Sequence, residues 1–182
     1  QDKPNIKIGD NLFGRNKEII LIKQSANKAL SGEAVRTIIS GKSGVGKTRL
    51  AEELLSYFDT NNFNIARGKF DQYKTYMPYL GYKQLFAQIN KIFISQDFSS
   101  ARKRMNPNSE KILRFIFPEL KNIFPSKTKV EQFPSQDIKN QLNFALIAFL
   151  TNIATKEHPL VIFLDDLQWI DQASSDLIKN TI

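Results

Sequence analysis

An eight-residue stretch near the start of the chain constrains its fold and chemistry more than any other feature. Residues 41–48 read Gly-Lys-Ser-Gly-Val-Gly-Lys-Thr and fit the pattern G-x-x-x-x-G-K-[ST]. The β-branched run at 35–40 predicts a buried strand before the stretch, and apolar residues at helical spacing predict a helix after it. A strand, a glycine-rich loop and a helix in this order are the setting in which the pattern binds phosphate. The alternative is a glycine-rich turn that fits the pattern by chance.

The residue types of this loop suit an anionic ligand. Three of the 8 glycines in the chain, Gly41, Gly44 and Gly46, lie here, and glycine permits turns that direct successive backbone N–H groups toward one point. The helix that opens near Lys47 adds unpaired N–H groups and the positive end of its dipole. Lys47 is predicted to reach the β- and γ-phosphates of a nucleotide and to act in catalysis, and the Thr48 hydroxyl to hold Mg²⁺. The other predicted nucleotide contacts in and after the loop are Ser43, Val45 and Arg49.

A pair of acids follows the apolar run 160–164, which predicts a strand buried on both faces of a parallel sheet. An acid at the carboxyl end of such a strand lies where α/β sheets place their ligands. Asp165 is predicted to bind Mg²⁺ through water, and Asp166 to orient or deprotonate an attacking water. These positions match the Walker B arrangement, as 41–48 matches Walker A. An ordinary strand end followed by a capping acid is the alternative.

The composition narrows the class of protein. A length of 182 residues, 41% of them hydrophobic and 24% charged, is typical of one globular domain. The chain has no cysteine, which excludes disulfides and thiolate metal sites and fits a reducing compartment. Its longest apolar runs are too short to span a bilayer, and its first residues lack an apolar signal region. A cytoplasmic location is therefore predicted.

The net charge of +8 raises the question of nucleic acid. Eight basic and only two acidic residues fall between positions 101 and 129, so most of the excess lies in one segment. Its phenylalanines stand beside isoleucine and leucine, which favours a packed insertion with a solvated basic face over a nucleic-acid surface. Binding of nucleic acid through residues 101–129 is kept as the alternative.

Polar, proline and glycine residues along the chain predict where its domain and its elements of secondary structure begin and end. Residues 1–11 are polar and are interpreted as a linker, and 12–182 as one α/β domain with a helical insertion at about 95–134. A helix is predicted to begin at Asn16, as its N-cap, and to end at Ser31-Gly32. A second strand is predicted at 63–70, and a last helix with Asp171 as its N-cap.

Five stretches in a fixed order carry a resemblance to a known family. They are Leu12-Phe13-Gly14-Arg15, the 41–48 loop, Gly68-Lys69-Phe70-Asp71-Gln72, Phe117-Pro118-Glu119-Leu120 and residues 158–171. Together they resemble the AAA-type ATPase module of the STAND class, the signal-transduction ATPases with numerous domains. The likeness is strongest to modules of large bacterial proteins that join a Ser/Thr kinase-like domain, the ATPase, a GAF sensor and a histidine kinase.

This resemblance implies a P-loop NTPase fold, with a parallel sheet between two helical layers. It implies that Leu12, Phe13 and Arg15 lie near the nucleotide base, and that the module cycles between ADP- and ATP-bound forms with slow hydrolysis. The implied partners are the kinase-like and sensor or histidine-kinase domains of the same protein, and the module could form nucleotide-dependent oligomers. A scaffold that holds ADP without turnover is a further alternative.

The chain departs from the family in one respect. The family sheet has a strand between the loop strand and the acid-bearing strand, and this sequence supplies strand candidates only at 35–40, 63–70 and 160–164. The remaining strands are expected beyond Ile182, so that the fold is truncated before its last strands. The chain as given is therefore expected to bind nucleotide weakly and to hydrolyse little.

Overall fold

The computed structural model describes residues 14–95, 103–125 and 138–181. The predicted linker 1–11 and the candidate base contacts Leu12 and Phe13 lie outside the described residues. The chain divides between Tyr57 and Phe58 into two compact units.

In chain order, helices precede, separate and follow two strands that pair in parallel. The helices are α1 (Asn16–Leu30), α2 (Lys47–Thr60), α3 (Leu80–Ser95), α4 (Pro107–Ile116), α5 (Ile138–Ile153) and α6 (Gln172–Thr181). The strands are β1 (Asn64–Lys69) and β2 (Leu160–Asp165). Short 3-10 helices cover Gln72–Lys74, Pro118–Asn122 and Leu167–Trp169. This content agrees with the predicted α/β class.

Helix α1 of the first unit has the predicted length but a different N-cap. Asn16 is its first helical residue, and Arg15 is the N-cap, so the assignment of Asn16 as N-cap was wrong. The Arg15 carbonyl accepts the N–H of Ile19, which draws Asn16 into the helix. The predicted end at Ser31-Gly32 is confirmed: Gly32 has φ 97°, and its N–H bonds to the carbonyl of Ala29.

The predicted strand at 35–40 is wrong in the described structure. These residues have no regular secondary structure, and Ile38 is 72% exposed. A β-branched run favours a strand only where a neighbouring strand pairs with it, since strand preference reflects packing more than backbone bias. Both described strands pair with each other, and neither pairs with 35–40. The helix predicted after the loop is confirmed as α2, which buries Leu50, Ala51, Leu54 and Leu55.

In the second unit, β1 and β2 form a parallel pair in which Lys69 is in register with Asp165. The predicted burial of β2 on both faces is wrong, since its residues are only partly buried and Ile162 is 37% exposed. The face of β1 that carries Ala66 and Gly68 is buried. Full burial of a parallel strand requires elements on both faces and both edges, and a pair of strands offers β2 less cover.

Two glutamines of α3 satisfy the backbone of β1. The Gln88 side chain accepts from the Arg67 N–H at 3.0 Å and donates to the Arg67 carbonyl at 2.7 Å. The Gln84 side chain accepts from the Lys69 N–H at 2.9 Å. These bonds occupy backbone groups of β1 that a third strand would otherwise pair with. They therefore protect the edge of β1, since an unpaired strand edge is open to association. They also fix α3 against the strand that ends beside the acid pair.

The core of the second unit is aromatic and is built from α3, α4 and α5. The rings of Phe86 and Phe117 lie 4.5 Å apart between centroids, and those of Phe124 and Phe149 lie 5.5 Å apart. Residues 103–125, predicted as part of an insertion, contribute α4 and the following 3-10 helix to this same core. Leu85, Phe86 and Ile89 of α3 and Leu142, Leu146 and Phe149 of α5 are buried in this core.

Asp171 caps α6 as predicted, and its replacement is expected to be costly. Its buried carboxylate accepts from the Ser174 N–H at 2.9 Å and from the Ser174 hydroxyl at 2.6 Å. Asp171→Ala removes the cap and leaves a buried hydroxyl unpaired, so we expect a loss of about 2 to 3 kcal/mol in the free energy of unfolding. Urea unfolding measures it, with exposed Gln172→Ala as the control. A loss no larger than that of the control would contradict the role of the cap.

Candidate functional site

The 41–48 loop has the backbone geometry that its glycines predict. Gly44 and Gly46 have φ angles of 79° and 86°, which side-chain-bearing residues rarely adopt. A Cβ built on either would meet no atom within 4 Å, so conformation rather than crowding requires glycine there. At Gly41 a Cβ would lie 3.1 Å from Cγ2 of Val45, because the loop curves back on itself.

Lys47 is folded over this loop. Its Nζ donates to the carbonyls of Gly41 and Lys42, both at 2.9 Å. The C=O and N–H of a trans peptide unit point in opposite directions, so these bonds turn the N–H groups of Lys42 and Ser43 away from the lysine. The loop therefore has N–H donors of fixed direction, which suit an anion, and its lysine ammonium is bonded to loop carbonyls.

Arg15 contacts the same loop. Its Nη2 donates to the Val45 carbonyl at 3.0 Å, and its Nη1 lies 2.7 Å from Oε1 of Glu18. The hydrogen bond from Arg15 is the main cause that lowers the pKa of Glu18. Sequence analysis assigned Glu18 no part in the site, although its position one helical turn after Arg15 is a signal for such a pair.

The other predicted loop residues lie at the surface of the first unit. Ser43, Thr48 and Arg49 are exposed, and Thr48 and Arg49 belong to the first turn of α2. An exposed hydroxyl in the first turn after a glycine-rich loop is open to a ligand from solvent. The predicted roles of these residues remain predictions.

The acid pair lies in the second unit at the carboxyl end of β2, as predicted. Asp165 is the last residue of the strand, and Asp166 follows it. Nζ of Lys69 lies 3.7 Å from Oδ2 of Asp165 and 3.2 Å from Oδ2 of Asp166. The hydrogen bond to Asp166, together with the charges of both acids, raises the pKa of Lys69. Sequence analysis gave Lys69 no role, although it lies in the strand predicted at 63–70.

Asp166 is held in an uncommon backbone conformation. Its φ of 56° and ψ of 42° are left-handed, which aspartate tolerates better than most residues. Its N–H donates to Oδ1 of Asp165 at 2.9 Å, and Nε2 of Gln168 donates to Oδ1 of Asp166 at 2.9 Å. The Trp169 N–H bonds to the Asp166 carbonyl at 2.9 Å. The strained residue thus has fixed backbone and side-chain directions, as functional positions often do.

The donor set suits a metal that is shared with phosphate and water. Among residues 14–95, 103–125 and 138–181, no group of three or more histidine, cysteine, aspartate or glutamate side chains could hold an ion. Magnesium usually binds through one or two carboxylates, with substrate phosphates and water as its other ligands. The Asp165–Asp166 pair fits that requirement and does not form a complete protein cage.

One basic residue of the segment, Arg104, is hydrogen-bonded to α5. Arg104 donates through Nε to Oδ1 of Asn152 at 2.8 Å and through Nη2 to the Asn152 carbonyl at 3.2 Å. An arginine at the last turn of α5 suits the carbonyls and the dipole there. The prediction that the aromatic residues are core is confirmed for Phe117 and Phe124, and it is wrong for Phe115, which is 44% exposed. These contacts favour a packed insertion over a stacking surface for bases.

Within the described ranges, every helix is too short or too polar to cross a membrane.

Comparison with known proteins assigns the chain to a family. A family model described as "AAA ATPase domain" matches residues 11–182, so the chain belongs to that family. The predicted AAA-type resemblance and the α/β P-loop NTPase fold class are thereby confirmed. Membership of an ATPase family implies nucleotide binding.

A curated relative gives the wider context. The chain is 30% identical over 178 residues to a protein of Dictyostelium discoideum named "Hybrid signal transduction histidine kinase G". The match covers 94% of this chain and 5% of that protein, so the chain spans about a twentieth of the length of this relative. No solved structure matches the chain.

Proposed function

We propose that the chain is the ATP-binding and slowly hydrolysing switch module of a signal-transduction protein. The proposal rests on the hydrogen bonds of the 41–48 loop. Lys47 donates to the carbonyls of Gly41 and Lys42, and Arg15 donates to the carbonyl of Val45. Because these carbonyls already accept hydrogen bonds, the N–H groups of the same peptide units remain for a ligand, and the ammonium of Lys47 lies in the same loop. A nucleotide polyphosphate has the charge and the acceptor oxygens to match them.

Each of the proposed site residues has its own role in nucleotide binding or hydrolysis. The loop N–H groups of 41–46 and the ammonium of Lys47 bind the phosphates and stabilise the charge on the transferred phosphoryl group. The family resemblance implies Thr48 and Asp165 as ligands of Mg²⁺, which would supply further neutralisation of phosphate charge. Asp166, oriented by Gln168, positions the attacking water or accepts its proton. ADP occupies the same loop after hydrolysis.

Lys69 weakens the acid pair as a metal site. Its ammonium lies within 4 Å of both carboxylates and partly neutralises them, so the pair alone is a weak metal site. Magnesium usually takes further ligands from substrate phosphates and water. We therefore propose that metal binds together with nucleotide rather than before it.

The context of the module is proposed from resemblance. A STAND-type ATPase would act on kinase-like and sensor or histidine-kinase domains of the same protein, with nucleotide-dependent oligomerisation as one route. The name of the Dictyostelium relative supports a place in signalling. One domain at 12–182, a base contact by Leu12 and Phe13, and a cytoplasmic location stay predictions.

Asp166→Asn tests the catalytic part of this proposal. Asparagine tolerates the left-handed conformation and keeps the size of the side chain, but it cannot accept a proton. We expect unchanged affinity for ATP and a fall in single-turnover phosphate release of about a hundredfold or more. Fluorescent-nucleotide titration and phosphate release measure the two, with Asp176→Asn on α6 as the control.

Two results would contradict hydrolysis at this site. One is an equal rate of phosphate release in Asp166→Asn and wild type. The other is wild-type protein that produces no phosphate but yields ADP when denatured, which would support the scaffold that holds ADP without turnover.

A further inference from the structure

We infer that Arg15 and Glu18 form a positioning pair for the 41–48 loop, in which Arg15 sets the orientation of the peptide between Val45 and Gly46 and Glu18 orients Arg15. The inference rests on the proposed function of the loop. It differs from the base contact that the resemblance implies for Arg15, because the contacts of this side chain are with loop backbone and with α1.

The peptide in question is unusually free to rotate without such a contact. Val45 stands between Gly44 and Gly46, and glycine adopts several backbone conformations at similar cost. The Nη2 bond to the Val45 carbonyl, at 3.0 Å, holds that carbonyl toward Arg15. Because C=O and N–H oppose each other in a trans peptide, the Gly46 N–H is turned the other way. Arg15 thus fixes the direction of a donor in the centre of the proposed phosphate cradle.

Glu18 fixes the arginine in turn. The 2.7 Å contact to Nη1 leaves Nη2 for the loop, so one guanidinium bridges the helix and the loop. Both side chains are only partly exposed, at 36% and 39%. Arg15 is the N-cap residue of α1 and Glu18 lies in its first turn, so the helix itself sets the spacing of the pair.

The Glu18→Ala variant distinguishes a positioning role from an effect of charge alone, because the two predict opposite changes in affinity for a polyphosphate. Glu18→Ala removes a negative charge near the loop, so electrostatics alone predicts tighter binding of a polyphosphate. Positioning predicts weaker binding, because Arg15 loses its orientation and the Val45–Gly46 peptide is released. We expect a loss of about three- to tenfold in affinity for inorganic tripolyphosphate in the intact protein, the scale of one hydrogen bond. Affinity for adenosine should stay within about twofold, since no base contact is altered.

A double-mutant cycle tests whether Glu18 acts through Arg15. Arg15→Ala should weaken tripolyphosphate binding by about three- to tenfold, and adding Glu18→Ala should change it no further. Lys28→Ala, which removes a charge at the far end of α1, is the control and should leave tripolyphosphate affinity within about twofold. Equilibrium competition against a fluorescent ATP analogue gives all these affinities.

Three outcomes would overturn the inference. Tighter tripolyphosphate binding in Glu18→Ala would assign the pair to charge alone, and a loss confined to adenosine would assign Arg15 to the base. Additive losses in the double variant would separate the two residues. Each of these outcomes leaves the proposed function intact, whereas a wild-type protein with no saturable tripolyphosphate binding would overturn that function and the inference with it.

Discussion

Gly68→Ala is expected to lower the free energy of unfolding of the second unit by about 3 kcal/mol, at the upper end of the cost of overpacking. A Cβ at Gly68 would lie 2.2 Å from the carbonyl oxygen of Gly81 and 3.0 Å from Cδ2 of Leu164. The first contact is with backbone near the start of α3, so no rotamer change relieves it. Relief requires α3 to move off β1.

That movement has further costs, which is why the expected effect is large. Gln84 and Gln88 would leave the backbone of β1, and Gly81 is itself packed so closely that a Cβ there would lie 2.7 Å from the Phe70 ring. Urea unfolding followed by circular dichroism measures the change. Arg67→Ala, at an exposed position of the same strand, is the matched control. A Gly68→Ala variant within about 1 kcal/mol of wild type would show that α3 adjusts easily and that this close approach is unimportant.

Lys47→Ala is expected to lower the affinity for ATP by about a hundredfold, which is the scale for losing a charge-assisted contact to a ligand. The substitution removes the cation of the loop and also releases the carbonyls of Gly41 and Lys42, so the N–H groups behind them lose their orientation. Both bonds are exposed, and the free energy of unfolding should therefore change little.

Lys42→Ala is the control for this change, since it removes the same charge from the same loop. We expect it to lower ATP affinity only about two- to threefold, the effect of an exposed charge. Calorimetric titration with Mg-ATP compares the three proteins. Equal affinity in wild type and Lys47→Ala would remove the loop from the account of nucleotide binding.

Features set by local sequence were predictable. The spacing of apolar residues locates α2, and the turn at Gly32 follows from the need for a positive φ at a helix end. The direction of β2 and the position of Asp165 at its carboxyl end also follow from local pattern. Each of these depends on residues within a few positions of one another, where period and turn chemistry decide the structure.

Features set by distant partners were not predictable from one sequence. The run at 35–40 has strand-forming residues, but a strand needs a neighbour, and the described structure pairs β1 with β2 instead. The exposure of Ile162 has the same origin. Lys69 and Asp165 are almost a hundred positions apart, and only the register of the sheet makes them neighbours. Composition and spacing carry no signal for that register.

The central claim is that the backbone of residues 41–48 binds the phosphates of a nucleotide, and amide hydrogen exchange tests it most directly. We predict that saturating Mg-ATP slows exchange in a peptide covering 41–48, that tripolyphosphate reproduces most of this protection, and that adenosine does not. The claim would be contradicted if bound nucleotide left exchange in this peptide unchanged. It would also be contradicted if nucleotide slowed exchange only in other parts of the chain.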